Sequence, residues 1–199
     1  MSPQGQEAKM ATTPQPREPQ GPPEPREEPS GGLGLFETPG LNVYAVLDGA
    51  SVHGLPAMLQ KHRPESYCLY REDLTPDIAE VAPYVVTLEA GTEFAEWVLA
   101  KGWGKHWGVF ALSERDGRTM RQHFRKFVKV ESPEGKPLYF RFYDPRVLRT
   151  FLPTCNAAEL AELFGPVACY VMEGEEAATV LRFELADGEL RRTESQRAS

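Results

Sequence analysis

Cysteine is scarce in this chain of 199 residues, with only Cys68, Cys155 and Cys169. An odd number at wide spacing builds neither a disulfide framework nor a metal knuckle, and such thiols read as small buried hydrophobes. Long apolar runs are missing too. No stretch reaches the length that crosses a bilayer, and the N-terminus lacks the apolar core of a signal peptide. A cytoplasmic location with no membrane partner is therefore expected. Positive charge is in deficit: 22 Lys and Arg stand against 29 Asp and Glu. The resulting net charge of -7 argues against nucleic acid or an anionic membrane as partner.

Catalytic and ligand motifs are equally sparse. GKHWG around Lys105 lacks the glycine spacing and the hydroxyl residue of a phosphate loop. GWGKHWG reads as a turn with packing aromatics. Ser51 follows Asp48-Gly49-Ala50 without the glycine pattern of a nucleophile elbow. None of His53, His62, His106 and His123 stands at metal spacing to another His, Cys or carboxylate. His123 is expected on the solvated side of a basic helix, and His62 near a helix C-terminus. No cofactor and no metal is expected.

Residues 1–40 are rich in Pro, Glu and Gln and poor in large apolar groups. Such a segment buries too little surface to offset its ordering entropy, so a disordered tail is expected there. The folded domain is expected at 41–186, followed by a polar C-terminal tail at 187–199. Within the domain, strands are expected at 43–50, 66–70, 82–88, 106–113, 138–143 and 167–172, with an edge strand at 178–185. Pro83 opens its strand, where a missing N–H is tolerated. Leu55, Met58 and Leu59 mark a short helix, and 75–77 a loop. Thr92 caps a helix through 101. Met120, Phe124, Phe127 and Val128 stripe a helix over 118–129. Asn156 and Glu159 form a capping box before Leu160, Leu163 and Phe164, and Gly165-Pro166 ends that helix. The pattern predicts a single α/β domain whose central mixed β-sheet is flanked by short helices.

LYFRFYDPRVLRTFLP, residues 138–153, organises the rest. It reads as an interior strand, a corner capped by Asp144 with Pro145 at the first helical position, and a short helix stopped by Pro153. Arg141 is the anomaly, because a guanidinium in an aromatic strand needs a carboxylate or a route to water. Arg141, Asp144 and Arg146 therefore make either a structural clasp or a recognition surface. Asp48 is a turn residue or the partner of Arg141. The basic face Arg118, Arg121, Arg125 and Lys129 is either solvated or a dock for an acidic partner.

Taken in order, YAVLDGA, APYVVTL, WGVFALS with RTMRQHFRKFVKV, and FRFYDPRVLRTFLP followed by FGPV resemble one known family. It is the adaptor-chaperone domain of bacterial type VI secretion, long catalogued as a domain of unknown function. The resemblance covers residues 43–171, and FRFYDPRVL is its most specific element. The matching positions are Asp48, Gly49, Pro83, Tyr84, Trp107, Gly108, Ser113 and Arg141 through Arg146. The resemblance implies a non-enzymatic protein that holds a cognate toxic effector and loads it onto the spike protein VgrG. Such a protein needs two faces. The candidates are Tyr143 with Arg146, the basic face Arg118, Arg121, Arg125 and Lys129, and the edge strand at 178–185. Asp48, Gly49, Pro83, Arg141, Asp144 and Pro145 are read as the structural signature. Two other readings stay open: an enzyme with a cleft at Asp48, Asp144 and Arg146, and a binder that regulates a single toxin.

Overall fold

Apolar and β-branched runs build the strands β1 (Asn42–Asp48), β2 (Ser66–Cys68), β3 (Pro83–Leu88), β4 (Gly108–Ser113), β5 (Lys129–Glu131), β6 (Pro137–Tyr139), β7 (Cys169–Glu173), β8 (Thr179–Ala186) and β9 (Glu189–Gln196). The structure is a computed structural model that describes residues 36, 38–70, 74–131 and 135–197. Seven strands form one sheet in the order β2-β3-β1-β4-β7-β8-β9, and β5 and β6 make a separate hairpin. The helices are α1 (Leu55–His62), α2 (Pro76–Val81), α3 (Glu93–Trp97), α4 (Gly117–Val128), α5 (Pro145–Phe151) and α6 (Ala157–Phe164). A π-helical turn, Val98–Gly102, continues α3.

The fold is α/β, as the alternation of strand and helix patterns implies, but the sheet is not mixed. Every neighbouring pair is antiparallel. The helical crossovers from β1 to β2 and from β3 to β4 do give strands that run the same way. In each case another strand is inserted between them: β3 between β1 and β2, and β1 between β3 and β4.

Strand alternation divides the interior into two cores. Tyr44 and Val46 of β1 face a core with Phe124 of α4, Leu148 of α5 and Leu163 of α6. Ala45 and Leu47 face the opposite core with Leu55 of α1, Phe94 of α3 and Trp103. β1, like β4 and β7, is therefore an interior strand covered on both faces. The expected interior strand at 138–143 is not found. Only β6 is extended there, and its Leu138 and Tyr139 are 51% and 60% exposed. The chain turns after Phe140, with Asp144 N donating to Arg141 O at 2.9 Å, and the turn itself buries Phe142 and Tyr143. Alternating aromatics suit a packed turn as well as a strand, because the pattern reports burial and not hydrogen-bond partners.

The C-terminal boundary also moves. The expected tail at 187–199 contains β9, which pairs with β8 along its whole length and takes the edge position expected for 178–185. Asp187 and Gly188 have φ of 56° and 79°, the two left-handed residues of a tight hairpin. At the other end Phe36, inside the expected tail, packs its ring 4.8 Å from that of Phe110. The rest of the expected tail up to residue 35 lies outside the described residues. Residues 76–81 form α2 in place of the expected loop, with Pro76 in its first turn.

The helix starts follow their caps. The Thr92, Asp116, Asp144 and Asn156 side chains each accept from a backbone N–H of the helix that follows, and Asn156 and Glu159 complete the capping box. His123, expected in solvent, is buried between α4 and α6. Its Nε2 lies 2.9 Å from Leu163 O, which also accepts from Tyr170 OH at 2.8 Å. Burial holds the His123 imidazole below its ordinary pKa despite the Leu163 carbonyl, so the ring is neutral and donates. A base whose folded pKa is lowered stabilises the fold above its unfolded value, about 6.5, and the stability fades as pH falls through the folded value. The melting temperature is therefore expected to fall as pH drops from about 7 to 5, and a His123→Gln variant is expected to lose that component. Parallel melting profiles of the two proteins across this range would exclude it.

Candidate functional site

The positions on which the sequence resemblance rests are scattered from 48 to 146, and most converge at one end of β1. Asp48 pairs in register with Pro83 at the start of β3, and its N–H donates to Trp107 O at 2.8 Å. Gly49 is required here by space. A Cβ at that position would lie 2.4 Å from Ala82 O, closer than atoms can approach. Gly108 is under the same constraint, since a Cβ there would lie 2.2 Å from Val46 O. Ser113 stands apart at the other end of β4, where its hydroxyl donates to Pro166 O at 2.6 Å.

At this end of the sheet two buried carboxylates meet two half-exposed guanidiniums. Asp48 is 1% exposed and Asp144 3%. The Asp48 carboxylate accepts from Ala50 N at 3.1 Å, from the Ser51 hydroxyl at 2.9 Å and from Arg141 Nη2. Asp144 accepts from Arg146 N and Nε, both at 3.0 Å, and from Arg146 Nη2 at 2.7 Å. Arg141 Nη2 is also 4.0 Å from Asp144 Oδ2, which links the two pairs. The Arg141 and Arg146 side chains are 46% and 52% exposed. The negative charge is thus inside and the positive charge reaches water.

The titrations follow from that arrangement. Burial pushes the Asp144 carboxyl up, but the Arg146 side chain and amide outweigh it, and the group lies below its ordinary pKa. Arg141 and Arg146 are raised by Asp48 and Asp144 respectively, in Arg141 against the opposing effect of burial. Tyr143, expected to reach a partner with Arg146, is instead buried beside Tyr70. Burial first, then the neighbouring Tyr70 and Asp48, raises its phenol well above the ordinary value. The ring is inaccessible to a partner because it fills the larger core. Arg146 remains accessible, and Asp144 and Pro145 start α5 as expected.

The basic face divides. Arg121 Nε donates to Cys68 O at 3.2 Å, and its guanidinium lies 6.0 Å from the Tyr67 ring centre, so it ties α4 to β2. Arg118 and Lys129 are exposed and Arg125 half-buried. Beyond Lys129 the stripe runs into the β5–β6 hairpin, where Val130 and Leu138 face each other in register and both are exposed. Lys129 Nζ sits 5.4 Å from the Tyr139 ring centre. Exposed Phe151 packs on Phe140 at 4.8 Å and extends the apolar surface.

Sequence reasoning missed a third buried carboxylate. Glu173, at the end of β7, is held by the turn after the π-helical segment. It accepts from the backbone N–H groups of Gly104 and His106 and meets His106 Nδ1. The GWGKHWG segment is indeed a turn lined by aromatics, with Trp97 and Trp107 rings 4.8 Å apart. The signal in the chain was a glutamate closing an apolar run, YVME, the same conflict that Arg141 shows. Among the described residues, no three His, Cys, Asp or Glu side chains are grouped to hold a metal ion, and no helix is long and apolar enough to cross a membrane.

A family model described as a domain of unknown function, DUF4123, matches residues 43–162. No curated protein and no solved structure matches the chain.

Removing Arg141 leaves Asp48 buried with only the Ser51 hydroxyl and one amide. Arg141→Ala is expected to cost about 1–3 kcal/mol in urea unfolding. That is less than a wholly buried pair, because the guanidinium is close to half exposed. An unchanged midpoint would refute the clasp. For Asp144 the sign is that of a depressed carboxylate: its stabilisation is present above the unfolded pKa of about 3.9 and is lost as pH falls through the lower folded value. The melting temperatures of the wild type and Asp144→Asn are expected to differ near neutrality and to converge as pH falls below about 4.

Proposed function

We propose that this chain, which belongs to the DUF4123 family, is a non-enzymatic adaptor-chaperone that binds a cognate toxic effector in the cytoplasm and loads it onto the VgrG spike of a type VI secretion system. Its support is the ordered set of motifs, above all FRFYDPRVLRTFLP, together with a surface suited to a protein partner. The observation that carries the reading is the junction of the α4 basic stripe with the exposed β5–β6 hairpin. Leu138, Tyr139, Val130 and Phe151 are large apolar groups left in water, and Lys129 borders them at the end of the helix that carries Arg118 and Arg125. Exposed apolar groups rimmed by charge suit a partner with an acidic and apolar surface.

The alternative of a cleft enzyme at Asp48, Asp144 and Arg146 has less support. Both carboxylates already accept several hydrogen bonds and ion pairs from within the chain, so neither is poised to take a proton from a substrate.

Co-expression with the spike and the toxin encoded beside it, followed by pull-down, tests the reading. The adaptor should capture both. Failure to bind either overturns it, and stoichiometric inhibition of the toxin without spike binding supports a single-toxin regulator instead. The double change Arg118→Glu and Arg125→Glu, and separately Leu138→Asp, should each weaken capture of one partner about tenfold or more, equivalent to about 1.4 kcal/mol. Melting temperatures should stay near that of the wild type. Undiminished capture by both variants would remove this surface from consideration.

A further inference from the structure

β9 is an anomaly of economy. It is a strand of eight residues, ELRRTESQ, in which only Leu190 packs against a core. Its other side chains are exposed, so it is held almost entirely by its backbone pairing to β8. Natural edge strands are commonly protected by proline, by a bulge, or by charges of one sign that repel a second edge. β9 has no proline, its register with β8 is unbroken from Ala186↔Glu189 to Thr179↔Gln196, and its charges are of both signs.

The direction of its free hydrogen-bonding groups can be worked out. The two-residue turn at Asp187-Gly188 makes the flanking pair Ala186 and Glu189 a hydrogen-bonded one. At the far end Arg197 N donates to Ala178 O at 2.8 Å, which fits the same alternation. The odd-numbered residues of β9 therefore bond to β8, and Leu190, Arg192, Glu194 and Gln196 turn their N–H and C=O groups to the open edge. Any strand that adds to the edge must pair with those four.

We propose that β9 pairs antiparallel with β9 of a second copy of this chain, across a two-fold axis at Thr193, so that two seven-stranded sheets become one. In that register Arg192 of each copy lies opposite Glu194 of the other, and Leu190 lies opposite Gln196. A slide of two residues is the smallest that keeps the outward-facing groups matched. In one direction it sets Arg192 against Arg192, and in the other Glu194 against Glu194. The register centred on Thr193 avoids both like-charge contacts and forms two opposite-charge pairs, the arrangement that stabilises a directly opposed antiparallel pair. Arg192 and Glu194 already share one face and touch within a single strand at 3.0 Å. Across the axis they would form an alternating quartet of charges. The contact is isologous, so it closes at two copies and does not propagate. It is independent of the adaptor reading, since it uses the sheet edge opposite the α4 stripe and β2.

Sedimentation of the full chain over a concentration series tests the proposal. The wild type should reach the mass of a dimer. Arg192→Glu or Glu194→Arg alone should raise the dimer dissociation constant at least tenfold. An equimolar mixture of the two variants should recover the dimer, because the mixed pair again sets opposite charges face to face. Glu194→Pro, which removes only an outward-facing N–H, should abolish the dimer and leave the melting temperature near that of the wild type. A wild type that stays monomeric at every concentration overturns the proposal, as does a dimer that survives both single reversals or is not recovered on mixing. If the wild type is monomeric and Glu194→Pro instead loses capture of the toxic effector, the edge belongs to a strand from that partner and not to a second copy.

Discussion

The Asp48 carboxylate lies at the end of the interior strand β1 with almost no access to water, and its surroundings are arranged to satisfy it. The Ser51 hydroxyl and the Ala50 amide reach it from the following turn, and Arg141 reaches it from a segment more than ninety positions further along the chain. An isolated buried carboxylate is costly, so Arg141 must be delivered to that point. The turn at Arg141 to Asp144 performs the delivery, and it also buries Phe142 and Tyr143 in the larger core and starts α5. One electrostatic requirement thereby joins the first strand, the aromatic corner and the helix that follows.

Gly49, Pro83 and Gly108 serve the same junction by different physics. Gly49 and Gly108 let neighbouring backbones approach to distances that any side chain would forbid. Pro83 begins its strand where no N–H is needed for the ladder. The residues expected as a structural signature therefore lie together at one end of the sheet, with the carboxylates inward and the guanidiniums outward. Glu173 repeats the device on β7, where backbone amides and His106 take the part of arginine. Both sites use a buried acid to fix a loop against the sheet, and both leave the basic partner nearest the solvent.

The sheet separates two exposed regions. Along the β2 side, α4 presents Arg118 and Arg125, continued by Lys129 and the apolar hairpin of β5 and β6. On the opposite edge β9 has no further strand paired to it among the described residues, and it carries charges of both signs. These regions lie at different ends of the strand order, so occupation of one leaves the other open.

Much of this was legible in the chain. The capping residues Thr92, Asp144 and Asn156, the stripe of Met120, Phe124, Phe127 and Val128, and the need of Arg141 for a carboxylate, with Asp48 as one candidate, all followed from local periodicity or from an uncompensated charge. Local signals failed where a residue's role depends on distant neighbours. His123 sits among basic residues in sequence but faces α6 in space. Tyr143 reads as an accessible aromatic but fills a core formed by several other segments. The hairpin of β8 and β9 fell inside the expected tail, because β9 has no apolar alternation and an edge strand can be held by backbone hydrogen bonds alone. The sequence by itself determined the α/β class, the helix starts marked by Thr92, Asp144 and Asn156, and the residues whose charge needed a partner, since these rest on interactions within a few positions or on the cost of burying a charge. Only the tertiary structure decided that the sheet is antiparallel throughout, because strand direction depends on which strand is inserted between two others. It also decided which end of Arg141, Asp144 and Arg146 faces water, because burial is a property of everything that packs around a group.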